Sequence, residues 1–200
     1  MSQQEFWNSK FSRDGYLYGQ KPNAFLVSSS ANFSKDHKLL CLGEGEGRNA
    51  IFFAKRGYDV TAIDASDIGL EKLRSLAIEH NVEVDTSCID LNEWEPGKKY
   101  GTIVASYLHM YKNEREALFK KINICLKTGG FFAGEFFSVN QLNYDSGGPK
   151  DIDLLYTVED FENAFPGCEY HKLEELETIL DEGKGHQGKA SVIRLIIQKK

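Results

Sequence analysis

The sequence predicts an α/β protein, a mostly parallel sheet layered between helices and closed by a C-terminal antiparallel hairpin. Three observations carry that expectation. Short β-rich apolar runs alternate with amphipathic stretches along most of the chain, the rhythm of strands joined by helical crossovers. The first apolar run opens into a glycine-rich turn, "LGEGEGRNA". The last two strand-like runs lie so close in sequence that they should pair antiparallel.

Residues 38–43, "KLLCLG", form the first strand, and residues 48–57, "RNAIFFAKRG", a helix closed by a glycine at its C-terminal end. Residues 58–64 are the second strand. The helix over 66–80 has Ser66 as its N-cap and Leu70, Leu73, Leu76 and Ala77 at helical spacing, although Gly69 weakens it. Strands at 82–90 and 101–108 follow, then a helix over 113–127 and a strand at 129–138, all joined by right-handed crossovers. After residue 138 the rhythm changes. A polar, glycine- and proline-containing stretch precedes a short helix near "TVEDFENAF", and the strands 168–180 and 189–198 are joined by "DEGKGHQG".

Composition bounds the function. Two hundred residues, 41% of them hydrophobic, can bury one sizeable core, so a single domain over residues 1–200 is expected. The net charge of −6 and the absence of a basic run disfavour a nucleic-acid partner. Cys41, Cys88, Cys125 and Cys168 lack zinc-ligand spacing and read as reduced, buried thiols; no metal is expected. No signal-like or membrane-spanning run is present, which points to a cytoplasmic protein without a membrane partner.

In an open α/β sheet, ligands bind beyond the carboxyl ends of the strands, where the strand order reverses. Gly43, Gly45 and Gly47 occupy such a turn. The spacing is GxGxG, with Arg48 where a dinucleotide fingerprint would place its third glycine. A pyrophosphate beside Glu44 and Glu46 would meet like charges, each costing roughly 4 kcal/mol at about 4 Å for an effective dielectric near 20. S-adenosylmethionine carries a sulfonium and an ammonium but no phosphate, and so suits a turn lined with carboxylates. Asp64 ends the second strand 21 residues after Gly43, placed to accept both ribose hydroxyls. Asp90 ends the third strand, placed to accept from an adenine amino group with Leu91 against the ring. Each feature alone also has a structural reading: a tight turn, solvated strand ends, or Glu44 favouring the positive end of a helix. Their succession along three strands favours the cofactor.

With those residues in place, the chain resembles the class I S-adenosylmethionine-dependent methyltransferases, whose successive motifs match "LGEGEGRNA", "VTAIDAS", "CIDL" and "LKTGGFFAGEFF". Within them, "FWNSKFSRDGYLYGQKPNAFL" followed by "GRNAIFFAKRGYDVTAID" is similar to the tellurite-resistance and thiopurine methyltransferase group of small-molecule enzymes. The resemblance implies a Rossmann-like three-layer sandwich with a seven-stranded sheet whose last strand is antiparallel. It implies cofactor contacts from Gly43, Glu44 and Gly45, with Arg48 beside them, from Asp64 and Ala65, from Asp90 and Leu91, and from the backbone near Ala105 and Ser106. The chain departs from the family at Cys41, where an acidic residue is common, and at Glu44, where a small one is; Glu44 is expected to supply the missing carboxylate.

Methyl transfer from a sulfonium is an in-line displacement that rests on positioning and exclusion of water, helped by a base when the acceptor carries a proton. The end of the fourth strand, "SYLHMYKNE", should face the methyl group, with His109 as a candidate base and Tyr107 and Tyr111 as walls. The second candidate group is His186 with Asp181 and Glu182, in a loop over 181–188 that, with 138–169, would roof the acceptor. An aromatic arm over residues 1–30, with Trp7, Phe11, Tyr16 and Tyr18, would close over the cofactor, Tyr18 gaining cation–π attraction to the sulfonium. The expected partner is a small-molecule methyl acceptor. The rival reading is a non-catalytic S-adenosylmethionine-binding or partner protein of the same fold.

Overall fold

The computed structural model describes residues 1–200, and seven of its segments form one sheet: β1 (Leu39–Leu42), β2 (Val60–Asp64), β3 (Asp85–Cys88), β4 (Tyr100–Ser106), β5 (Leu126–Phe137), β6 (Cys168–Glu182) and β7 (His186–Lys199). Their order is β3-β2-β1-β4-β5-β7-β6. The pairings from β3 to β5 are all parallel, and β7 runs antiparallel to both β5 and β6. Six helices surround it: α1 (Gln3–Phe11), α2 (Ala24–Ser29), α3 (Arg48–Lys55), α4 (Asp67–Glu79), α5 (Lys112–Cys125) and α6 (Val158–Ala164). This is the mostly parallel, seven-stranded α/β sandwich that the sequence predicts. None of the helices is long and apolar enough to cross a membrane.

Strand β1 is apolar at every position because both faces of a parallel sheet are covered. Leu40 and Leu42 pack with Ile103, Phe132 and the α5 residues Leu118 and Ile122, whereas Leu39 and Cys41 pack with Leu26, Phe53 and Leu73 from the helices of the other face. Each fully buried leucine contributes roughly 1.5–3 kcal/mol. Local signals set the helix ends. Ser66 Oγ accepts from Gly69 N at 2.9 Å to cap α4, and Gly57, at φ +84°, takes the left-handed position just past α3. Gly69, which weakens α4 on propensity, has a packing reason. A Cβ there would stand 3.0 Å from the Phe11 ring and 3.1 Å from Gly45 O, so its absence lets α4, the arm and the glycine turn meet.

Several expectations need correction. Strand β3 is shorter than 82–90, since an edge strand with half-exposed residues has little to bury at its ends. The hairpin has no 181–188 loop: pairing runs to Glu182 and resumes at His186, leaving a turn of Gly183, Lys184 and Gly185. Nor is 138–169 an open loop. Leu155, Tyr156, Phe161 and Phe165 are buried, and Arg115 of α5 pins the segment by donating to Leu155 O (2.8 Å), Asp153 O (2.5 Å) and Asp160 Oδ2 (2.9 Å). Cys88 is exposed and Cys168 partly so; only Cys41 and Cys125 are buried thiols.

Candidate functional site

The chain leaves β1 toward β2 and β3 on one side and returns to β4 on the other, so the strand order reverses between β1 and β4. A crevice opens beyond their carboxyl ends, as such a reversal dictates. The space between its walls, open mouth included, is about 820 Å³. Its floor is the turn Gly43–Gly47 after β1; Asp64 at the end of β2 with Ala65, and Asp90 and Leu91 beyond β3, form one wall. Ser106 to Met110 after β4 form the other, and Trp7, Phe11 and Tyr18 of the arm roof it.

The turn is built by its carboxylates. Asp64 Oδ2 accepts from Gly45 N at 2.8 Å and Oδ1 from Ser66 N at 2.7 Å, locking the end of β2 to the glycine turn. Burial pushes the Asp64 carboxyl up to about 6, against the pull of these backbone donors. Glu46 Oε2 accepts from Leu17 N at 2.7 Å and Oε1 pairs with Lys72 at 2.8 Å, so this carboxylate fastens the arm.

Glu44 lines the crevice and also caps a helix. Its Oε1 accepts from Asn49 N (2.8 Å) and Ala50 N (2.7 Å) at the start of α3, whose N-cap Gly47 has no side chain to do so. Burial pushes its carboxyl up to about 7. A raised folded pKa means stability fully present below the unfolded value near 4.5 and lost as pH rises through about 7; Asp64 acts with the same sign. Glu44→Ala leaves two buried N–H groups without acceptors and should lower stability by roughly 2–4 kcal/mol. Glu44→Gln keeps an acceptor without the charge. Scanning calorimetry should find its melting temperature, relative to the original protein, higher at pH 8 than at pH 5; the opposite order would refute a buried, raised carboxyl.

The β4 end of the crevice is a buried polar network. Asn23 Nδ2 donates to Glu135 Oε1 (2.8 Å) and Glu182 Oε1 (3.1 Å), Tyr107 OH donates to Glu135 Oε1 (2.6 Å), and Arg194 Nε donates to Glu135 Oε2 (2.6 Å). Arg48 forms an ion pair with Glu182 Oε2 at 3.0 Å and His186 Nδ1 lies 3.5 Å from the same oxygen, at angles that make neither a hydrogen bond. His186, 2% exposed, is held between the rings of Tyr18 (4.4 Å), Tyr107 (4.5 Å) and Phe137 (5.2 Å). Burial pushes its pKa down, only partly offset by Glu182. Burial acts on Glu182 in the opposite sense, but His186 and Arg48 outweigh it and hold the carboxyl low. His109, beside Trp7 at 5.4 Å, is pushed down to about 4 by burial and then by His186 and Lys10, and its Nε2 is buried without a partner. Tyr107 holds φ +51°, a strained conformation for a non-glycine residue that is commonest at functional sites.

The structure thus gathers Tyr18, Gly43, Glu44, Gly45, Arg48, Asp64, Ala65, Asp90, Leu91, Ser106, Tyr107, His109 and His186 around one crevice, with Glu182 behind His186. Three candidates lie elsewhere. Ala105 is buried within β4, one residue short of the crevice. Tyr111 is exposed at the start of α5 and lines a neighbouring cavity. Asp181 points to solvent and pairs with exposed Lys21 at 3.4 Å, because alternate residues of β6 face opposite sides. Glu135, Asn23 and Arg194 escaped the sequence reading. A lone carboxylate in the buried run "GGFFAGEFF" is the signal that could have found Glu135.

The fold is shared with solved structures of methyltransferases. The chain covers all of itself and 68% of the crystal structure of TehB from Haemophilus influenzae, with a TM-score of 0.75 at 18% identity. It matches an S-adenosylmethionine-dependent methyltransferase from Anabaena variabilis with a TM-score of 0.73 at 17% identity, over 98% of this chain and 93% of that one. A family model described as "Tellurite resistance protein TehB" matches residues 10–140. The chain belongs to the TehB family. The probable S-adenosyl-L-methionine-dependent methyltransferase TehB of Haemophilus influenzae is 27% identical over 107 residues, which is 52% of this chain and 37% of that relative's length.

Proposed function

We propose that this chain is an S-adenosylmethionine-dependent methyltransferase acting on a small-molecule acceptor. The observation that carries the reading is one crevice with a glycine turn, Asp64 and Asp90 on three successive strand ends and two imidazoles facing them. The donor set fits the cofactor: Arg48, the cation that lines the crevice, is already paired with Glu182, so no free cation there would take a pyrophosphate, while Asp64 and Asp90 keep lone pairs for hydroxyl and amino donors. In this reading Asp64 holds the ribose, Asp90 and Leu91 the adenine, and Gly43 and Gly45 let the backbone approach the ligand. When bound, the cofactor supplies an electrophilic methyl group on a sulfonium, displaced in line by an acceptor lone pair.

The chain's own residues position and deprotonate the acceptor. The aromatic roof of Trp7, Phe11 and Tyr18 excludes water, which strengthens each electrostatic contact inside. His186 receives the acceptor's proton on the nitrogen opposite Glu182, and the carboxylate stabilises the imidazolium until the proton passes to solvent. His109 accepts a hydrogen bond that orients the acceptor. Isothermal titration with S-adenosylmethionine, S-adenosylhomocysteine and NADH should give micromolar binding of the first two and none of the third. Binding of NADH, or of none of them, would overturn the reading; cofactor binding with no product from any acceptor would favour a non-catalytic binding protein.

A further inference from the structure

Resting on that reading, we propose that the methyl acceptor is an organic anion with an apolar body, seated in a second cavity beside the crevice with its charge on Lys10, Arg13 and Lys184. The two cavities meet at Gln3, Trp7, Tyr18 and His109, which line both. A molecule in the second cavity therefore abuts His109 and Trp7, the same groups that bound the methyl-transfer end of the first. Its apolar walls include Phe6, Leu17, Pro149 and Leu154. Phe6 is 39% exposed, apolar surface that a bound ring would cover.

The charge on this cavity is one-sided. In a chain of net charge −6, its lining includes Lys10, Arg13 and Lys184 and no aspartate or glutamate. None of the three cations forms a salt bridge. Two segments distant in sequence bring them together. Lys10 and Arg13 stand at the end of α1, where Arg13 Nε donates to Lys10 O at 2.9 Å and Lys10 Nζ lies 5.4 Å from the Phe6 ring. Lys184 sits on the hairpin turn, docked to the arm by Gly185 N donating to Leu17 O at 3.1 Å. Like charges set in concave, partly apolar walls focus a positive potential. That potential attracts a carboxylate, sulfonate or phosphate and repels amines, so the cavity selects against cationic acceptors.

A matched pair of fluorescent probes tests the site without knowledge of the acceptor: 8-anilinonaphthalene-1-sulfonate and its uncharged counterpart N-phenyl-1-naphthylamine. The protein should bind the sulfonate at least tenfold more tightly, and K10Q/R13Q/K184Q should remove that difference while its affinity for S-adenosylmethionine stays unchanged, which certifies its fold. Equal binding of the two probes by the original protein, or a preference that survives the triple change, overturns the site. A second pair tests the acceptor role: 4-mercaptobenzoate should yield S-adenosylhomocysteine with kcat/KM at least tenfold above 4-methylbenzenethiol. Equal rates, or no product from either in a protein that binds the cofactor, overturn the acceptor class and leave the cofactor reading standing. Failure to bind S-adenosylmethionine at all overturns both.

Discussion

Asp64→Asn should weaken S-adenosylmethionine binding ten- to a hundredfold, roughly 1.5–3 kcal/mol, the range for losing hydrogen bonds to a charged acceptor. The substitution is not conservative here. Both carboxylate oxygens already accept backbone donors, Gly45 N at 2.8 Å and Ser66 N at 2.7 Å, so one of them would face the amide NH₂, donor against donor. The variant should therefore also melt at a lower temperature, and titration must be done well below that transition. pH provides a second signature. Because burial holds the Asp64 carboxyl at about 6, it is protonated at pH 5 and ionised at pH 7. A ligand whose hydroxyls need the carboxylate should bind about tenfold more weakly at pH 5 than at pH 7. Glu44, near 7, titrates in the same window but caps α3, so Asp64→Asn should flatten the profile. Wild-type-like affinity in the variant, or an unchanged pH profile, would remove Asp64 from the ribose site.

Gly183→Ala should separate the arm from the hairpin, with a loss of roughly 2–4 kcal/mol from overpacking and backbone strain together. At φ +64° a Cβ on residue 183 would lie 2.4 Å from Gly19 N, 2.5 Å from Tyr18 C and 2.6 Å from Leu17 O. All three are backbone atoms, which no rotamer change can move aside. Relief requires displacing residues 17–19, and with them the Tyr18 ring packed at a tilt against His186 and the Leu17 N–H held by Glu46. The transition should fall by about 5–15 °C for a domain of this size. Methyl transfer should fall more than cofactor affinity, because the displaced groups surround His186 rather than Asp64. Gly57→Ala is the control: φ is +84°, but nothing lies within 4 Å of its Cβ, so it reports strain alone. Calorimetry of the two variants decides the matter. A Gly183→Ala protein no less stable than Gly57→Ala would mean that the arm and hairpin are not in firm contact.

Neighbours along the chain encode the local features of this fold. The four-residue apolar β1, the Ser66 cap, the Gly57 stop, the glycine turn and the antiparallel hairpin all follow from periodicity and backbone conformational preference within a few residues. The positions of Asp64 and Asp90 beside that turn were legible for the same reason, since each lies at or just beyond a strand end. What each polar side chain binds was decided by the tertiary structure alone. Insertion of β7 between β5 and β6 sets Arg194 opposite Glu135 and leaves Glu182 and His186 facing each other across a three-residue turn, with Arg48 arriving from α3. The same packing turned Glu44 into a helix cap, sent Asp181 out to Lys21 and carried Lys184 to the arm beside Lys10 and Arg13. These partners are more than a hundred residues apart in several cases, and pairing at that range depends on sheet order and the direction in which each side chain leaves its strand, neither of which a local pattern specifies.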